Sequence, residues 1–414
     1  MPTPARRAPK WAGDDGGRDA ATRAMVASIL DTEPVRGEER RVAADWGGTR
    51  RRARRPPSSL LLLQLDLAAL RKVACVRGLG SHSLRARAWP LLLGARADPG
   101  DLPALATLAD APHRDASVVE CDVERSLWAF TDGWEDEKRG EARASLRRVI
   151  NGAVAAGAAD RVHYYQGLHD VASVLLLVAG EVAAFRLLRR LASCQLRDCT
   201  RASLDAALET LDVLPAALAA ADPQLARHVA ASGVPPHYAL PWVLTWFARG
   251  ARTLDDAARL FDLFAASHPL VPVYLAAVAV ASHRDAILAV PADDMAEMHG
   301  ALSKLDILNA PASPGVDALA ASALALYRKL PPGPLLARAR ARGAARASTA
   351  ALATLVGGSW VVDDEVDDAV WAKAASAGKR RPRGAGLAVF SAAAGAVALL
   401  AALAQSGAAG GGRP

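Results

Sequence analysis

The chain of 414 residues has room for one large helical domain with flanking tails or for two medium domains, and 52% hydrophobic residues with only 5% aromatic ones favour alanine-rich helices over sheets. The net charge of +7 does not describe a nucleic-acid surface: thirteen basic residues fall in the acid-free windows Arg50–Arg55, Arg338–Arg346 and Lys379–Arg383, and taking these from the 50 leaves 37 against 43 acidic residues. Four cysteines, Cys75, Cys121, Cys194 and Cys199, are too few and too irregular for a disulfide scaffold and indicate a reduced, cytosol-facing domain.

In chain order, residues 1–59 read as a basic disordered arm ending at the breaker Pro56-Pro57, with no apolar segment of a signal peptide. From 60 to 330, helical patterns alternate with short punctuation at Gly78-Leu79-Gly80, Asp98-Pro99-Gly100, Asp222-Pro223, Val234-Pro235-Pro236 and His268-Pro269, and no alternating strand pattern competes. An all-α domain is expected, closed by Pro331-Pro332-Gly333-Pro334. An Ala/Arg-rich linker is expected over 331–383. Residues 384–404 carry no charge, and a helix rising ~1.5 Å per residue over that length spans the ~30 Å hydrocarbon layer. The basic cluster Lys379, Arg380, Arg381, Arg383 precedes it and a short tail, 405–414, follows. This is a tail-anchor layout that keeps the bulk of the chain cytosolic.

No phosphate loop, nucleophile elbow, H-E-x-x-H or G-x-G-x-x-G motif is present, so the chain is not expected to bind a nucleotide itself. Cys194 and Cys199, spaced C-x4-C, and the group His163, His169, Asp170 match no standard metal site; buried thiols and local polar contacts are the expectation. Two segments carry more. Ser117-Val118-Val119-Glu120 reads as a capping box opening a helix through Arg125, on which Asp122 can hold Arg125 at i, i+3 while the guanidinium projects outward. His163-Tyr164-Tyr165-Gln166-Gly167-Leu168-His169-Asp170 places a glutamine at a loop-to-helix junction, where its amide can donate and accept at once, as orienting a water requires.

Together, Val119, Asp122 and Arg125, followed some forty residues later by Tyr164 and Gln166, resemble the V/I-x-x-D-x-x-R and Y-x-Q signature of the TBC-domain Rab GTPase-activating proteins. Segments Gly78–Arg85, Trp89–Gly94, Leu240–Phe247, Arg259–Asp262 and His268–Leu270 resemble the family's other helices in the same order. With a hydrophobic C-terminal span, the chain looks most like the family's endoplasmic-reticulum-anchored branch, which acts on early-secretory Rabs. The resemblance implies an all-α TBC domain that stimulates GTP hydrolysis by a Rab-type partner. Arg125 would be an arginine finger and Gln166 a glutamine finger, with Asp122 and Tyr164 supporting them. It implies no cofactor of the chain's own, magnesium and GTP being bound by the partner GTPase, and no nucleic-acid partner. It also implies an endoplasmic-reticulum or other endomembrane location. The alternative is a catalytically silent, membrane-tethered Rab-binding adaptor.

Overall fold

The computed structural model describes residues 20–31, 67–95 and 97–341. All the regular elements among them are helices, as expected from an alanine-rich chain whose apolar residues recur with a helical period. The punctuation expected between helices falls at their ends. Gly78-Leu79-Gly80 separates α2 (Leu67–Val76) from α3 (His82–Leu92), Asp98-Pro99-Gly100 precedes α4 (Asp101–Leu108), and α5 (Ala116–Glu124) follows. Asp222-Pro223 opens a later helix, Pro223–Ala231, with the Asp222 side chain accepting from the backbone N–H groups of Gln224 and Leu225 at 3.0 Å and proline at the first helical position.

Two helices are apolar on every side and form the centres of packing. The first, α7 (Leu168–Ala179), is buried almost throughout and is covered by α3, by the long α6 (Asp136–Ala156), and by α8 (Glu181–Ser193). The second, α14 (Val271–Ser282), is enclosed by α10 (Leu214–Ala221) and α17 (Val316–Lys329). Between them runs α13 (Leu254–Ala266), which packs on α2, α3, α7 and α17. It starts at a Thr253 cap, with Asp255 and Asp256 in its first turn where the helix dipole favours acids.

The helix α13 carries a fully buried ion cluster. Asp262 accepts from Leu79 N at 2.9 Å, Trp89 Nε1 at 2.8 Å and Arg85 Nε at 3.1 Å, all enclosed. One turn earlier, Arg259 donates to the carbonyls of Ala74, Cys75 and Val76 at the end of α2. Gly78 sits in this crossing at φ +76°, and a Cβ there would meet Arg259 Cδ at 2.6 Å, so the residue must be glycine on both steric grounds.

Three expectations are corrected. The 1–59 arm contains a helix, α1 (Ala20–Asp31), whose Val26 and Leu30 are buried and which packs on α2 and α3; apolar residues at i, i+4 gave it a stripe to bury within a basic, glycine-rich background. Pro331–Pro334 does not close the domain. Pro332 instead begins α18 (Pro332–Ala341), whose Leu335, Leu336 and Ala339 are buried, and α18 packs against α10. Ser117 and Glu120 do not form a capping box, as the site below shows. Among the described residues no helix is long and apolar enough to cross a membrane; the span 384–404, its basic flank and the windows at 50–55 and 379–383 lie outside the described residues.

Candidate functional site

Helix α5 is short and two-faced. Val119, Asp122 and Val123 point inward, while Val118, Cys121 and Arg125 occupy the outer face. The helix begins at Ala116, with Asp115 in the capping position, so Ser117 lies within the first turn and Glu120 pairs with Arg147 on α6. Asp115 spends its side chain elsewhere, accepting from the backbone N–H of Tyr164 at 3.1 Å. This contact joins the two motif segments across 49 residues of chain. Arg125 is the residue after the last helical turn and takes the non-helical backbone of a C-cap.

Asp122 is the hinge of the site. It is buried to 1% exposure, and its two oxygens face opposite ways in function: Oδ1 holds Arg125 Nη2, and Oδ2 accepts from the Tyr164 hydroxyl at 2.6 Å. With the Tyr164 O–H donating to Asp122, the tautomer of His169 that carries its proton on Nδ1 donates to the phenol oxygen at 2.8 Å, and Nδ1 also lies 3.3 Å from Asp122 Oδ2. The opposite ring nitrogen of His169 is 3.4 Å from Asp170 Oδ1, and Arg249 closes on Asp170 Oδ2 at 2.9 Å. A continuous polar chain therefore runs from Arg125 through Asp122, Tyr164, His169 and Asp170 to Arg249.

Burial alone would raise the Asp122 carboxyl, but hydrogen bonds from His169 and Tyr164, the charge of His169 and the bond from Arg125 hold it down at about 2. The carboxylate is thus ionised throughout the physiological range. Tyr164 moves the other way, pushed well above its ordinary value by burial and by the Asp122 charge, and remains a proton donor.

Gln166 is exposed at the tip of the second segment, flanked by two buried tyrosines and Gly167. Tyr165 anchors the tip from behind by donating to Leu244 O at 2.8 Å. Gly167 takes φ +119° just before α7, and a Cβ there would meet Thr245 Cγ2 at 3.1 Å. Only glycine turns the chain this tightly against the Leu244 and Thr245 side chains.

Arg125 and Gln166 are therefore both surface side chains whose neighbours are fixed in the core. The Arg125 side chain is 54% exposed, with one nitrogen committed to Asp122, so a planar cation with further N–H donors stands at the surface. Such a cation can meet an external anion in a fixed direction. The sequence reading named Arg125, Gln166, Asp122 and Tyr164, and the structure brings Asp122, Arg125 and Tyr164 into direct contact, with Gln166 two residues on. It did not find Asp115 or Arg249. Asp115 stood directly before the helix, a recognisable capping position. Arg249 carried no local signal, since it reaches Asp170 only because Trp246 and Phe247 adopt left-handed backbone after the five-residue helix Leu240–Leu244.

His163 does not join His169 and Asp170; it lies 4.0 Å from Asp115, and among the described residues no group of three or more His, Cys, Asp or Glu side chains could hold a metal. Cys194 and Cys199 are buried free thiols, and burial pushes Cys199 up to about 12.

This architecture has relatives. Residues 82–288 match the RabGAP-TBC family model, described as the Rab-GTPase-TBC domain. The chain is 32% identical over 287 residues to TBC1 domain family member 20 of Mus musculus and of Homo sapiens, covering 69% of each chain. It is 29% identical over 275 residues to the GTPase-activating protein gyp10 of Schizosaccharomyces pombe, covering 66% of this chain and 71% of that one. The crystal structure of the Ypt/Rab-GAP domain of Gyp1p shares the fold at a TM-score of 0.50, 15% identity, 63% coverage of this chain and 92% of that one. With the matched region running from α3 past α14 and taking in both motif segments, the chain belongs to the RabGAP-TBC family and carries a Rab-GTPase-TBC domain.

Proposed function

We propose that this protein stimulates GTP hydrolysis by a Rab-type small GTPase, lending Arg125 as an arginine finger and Gln166 as a glutamine finger. The observation that carries the reading is the division of Asp122: one oxygen holds Arg125, the other the tyrosine two residues before Gln166. One buried carboxylate thereby sets two exposed groups in fixed relation. GTP hydrolysis needs an oriented water and relief of charge on the transferring phosphoryl group, and a small GTPase alone supplies both poorly. Arg125 meets the charge with a planar cation in a water-poor interface, and Gln166 orients the water. Magnesium and nucleotide come with the GTPase.

The charge-free span 384–404 behind its basic flank is proposed as the tail anchor. It would place the domain on an endoplasmic-reticulum or related membrane, where the partner is a Rab of the early secretory pathway. A silent adaptor would have no use for an arginine and a glutamine posed from one carboxylate.

The test is single-turnover phosphate release with a panel of Rab proteins, using wild type and Gln166→Ala, each against a wild-type Rab and a Rab whose switch glutamine is changed to leucine. If Gln166 orients the water, the switch-mutant Rab is still stimulated, and Gln166→Ala loses most activity on the wild-type Rab. Resistance of the switch mutant together with an active Gln166→Ala protein overturns the glutamine role and leaves the arginine role standing.

A further inference from the structure

The residues just after Arg125 are built in a way the finger reading does not use. Ser126 and Leu127 are buried, and Leu127 takes φ 75°, a left-handed conformation that is unfavourable for a branched side chain. That turn throws Trp128 outward to 56% exposure, the most exposed of the large aromatic side chains among the described residues. The ring is nevertheless fixed. The Arg139 guanidinium lies 4.0 Å from its centroid and that of Arg143 lies 5.0 Å away. Arg139 is itself buried and locked, donating to Thr131 Oγ1, Thr131 O and Trp134 O at 3.0 Å each. On the outer face of α5, Val118 (48% exposed) and Cys121 precede Arg125 at helical spacing. An apolar strip thus flanks the cation on both sides.

Resting on the finger reading, we infer that Trp128, with Val118, is a docking anchor for the GTPase itself, contacting apolar side chains at the rim of its nucleotide pocket. The geometry of the chain carries this. Three residues span at most about 10.5 Å, so an Arg125 that reaches a nucleotide brings Trp128 against the surrounding protein surface. Rigid aromatic side chains held before binding lose little entropy on contact, and tryptophan is among the residues enriched at the energetic centres of interfaces. The two guanidiniums against the ring steady it, and its exposed part is left for the partner.

The experiment measures single-turnover phosphate release over a range of full-length protein concentrations, on the Rab that the wild type stimulates best. Trp128→Ala is expected to raise the half-saturating concentration roughly 10- to 100-fold while the rate at saturation stays within about threefold. Trp128→Phe keeps most of the affinity, and Val118→Glu, on the exposed face of a helix, repeats the defect if Trp128→Ala does not fold. An unchanged half-saturating concentration in Trp128→Ala and Val118→Glu overturns the inference. So does a fall in saturating rate alone, which would make Trp128 a support for the Arg125 turn. Loss of sedimentation with anionic vesicles at unchanged half-saturation would assign the strip to lipid and likewise overturn it. If Arg125→Ala stays active the finger reading fails; if Arg125→Ala is dead and the Trp128 and Val118 variants behave as wild type, this inference alone fails.

Discussion

Asp262 and Asp122 each hold an arginine, but the arginines end in different places. Around Asp262 every partner is enclosed: Arg85, Trp89 and the Leu79 amide are all buried, and the carboxylate is used up in fastening α3 and the α2–α3 turn to α13. Around Asp122 the carboxylate is equally buried, yet its arginine is half in solvent. The difference lies in what fixes the carboxylate. Asp262 is fixed by the arginine and tryptophan it holds, so removing either leaves a buried charge short of donors. Asp122 is fixed from behind by Tyr164 and His169, which lets the arginine be aimed without being enclosed. Each region also has its glycine, Gly78 at one and Gly167 at the other, where a positive φ coincides with a side chain packed too close for a Cβ.

The comparison breaks most visibly at the two arginines. Arg125→Ala should cut stimulated hydrolysis by roughly 10³ to 10⁵, with Arg125→Lys close behind because an ammonium lacks the planar fork. Its thermal unfolding midpoint should match the wild type, since the lost pair is half exposed. Activity near wild type in a folded Arg125→Ala protein would remove the distinction between the regions.

Asp262→Ala should do the opposite, costing about 3–5 kcal/mol in urea unfolding, because the buried Arg85 is left to the partly exposed Asp255 and the buried Leu79 N and Trp89 Nε1 lose their acceptor. Any activity lost there should follow the folded fraction. An Asp262→Ala protein of wild-type stability would show that this cluster does not hold the helices together.

A smaller effect is expected where the regions are most alike, in the donors behind the carboxylate. Tyr164→Phe deletes the hydroxyl shared by Asp122 and His169. It should lower the single-turnover rate by about tenfold, as the hydrogen bond of one charged acceptor converts to rate, and lower stability by about 1–3 kcal/mol. A drop in stability with an unchanged rate would mean that Arg125 is presented without help from Tyr164.

The smallest effect is in pH, and it separates core from site. His268, in the core, is held neutral by burial with its pKa lowered to about 3 from 6.5. The unfolded chain therefore takes up a proton through pH 6.5 while the fold does not. The stability linked to the neutral ring is complete above 6.5 and is lost progressively as pH falls toward about 3. Asp122, at about 2 against its ordinary 3.8, contributes fully above 3.8 and is lost only between 3.8 and about 2. Unfolding midpoints from pH 7.5 to 4.5 should fall with acid, less steeply in His268→Gln, and Asp122→Asn should leave that slope unchanged. A slope that His268→Gln does not alter would assign the acid sensitivity to other groups.

The chain's own sequence determined the helical class, the breaks between helices at Gly, Pro and Asp, and the residues Asp122, Arg125, Tyr164 and Gln166. These are local properties, legible because helical period, capping chemistry and a short motif act within a few residues. Other features were settled only by packing. Arg85 and Asp262 lie 177 residues apart in segments that nothing local pairs, and only the fold joined them and enclosed that arginine. Asp115, rather than the expected Ser117, stands at the start of its helix and turns its side chain to Tyr164 N, and Arg249 met Asp170 across 79 residues through a left-handed turn that propensity does not favour. The helices at Ala20–Asp31 and Pro332–Ala341 exist beyond the expected bounds because the domain offers apolar surfaces for Val26, Leu30, Leu335 and Leu336. Contacts over such separations depend on where whole helices lie, a quantity that no window of sequence contains.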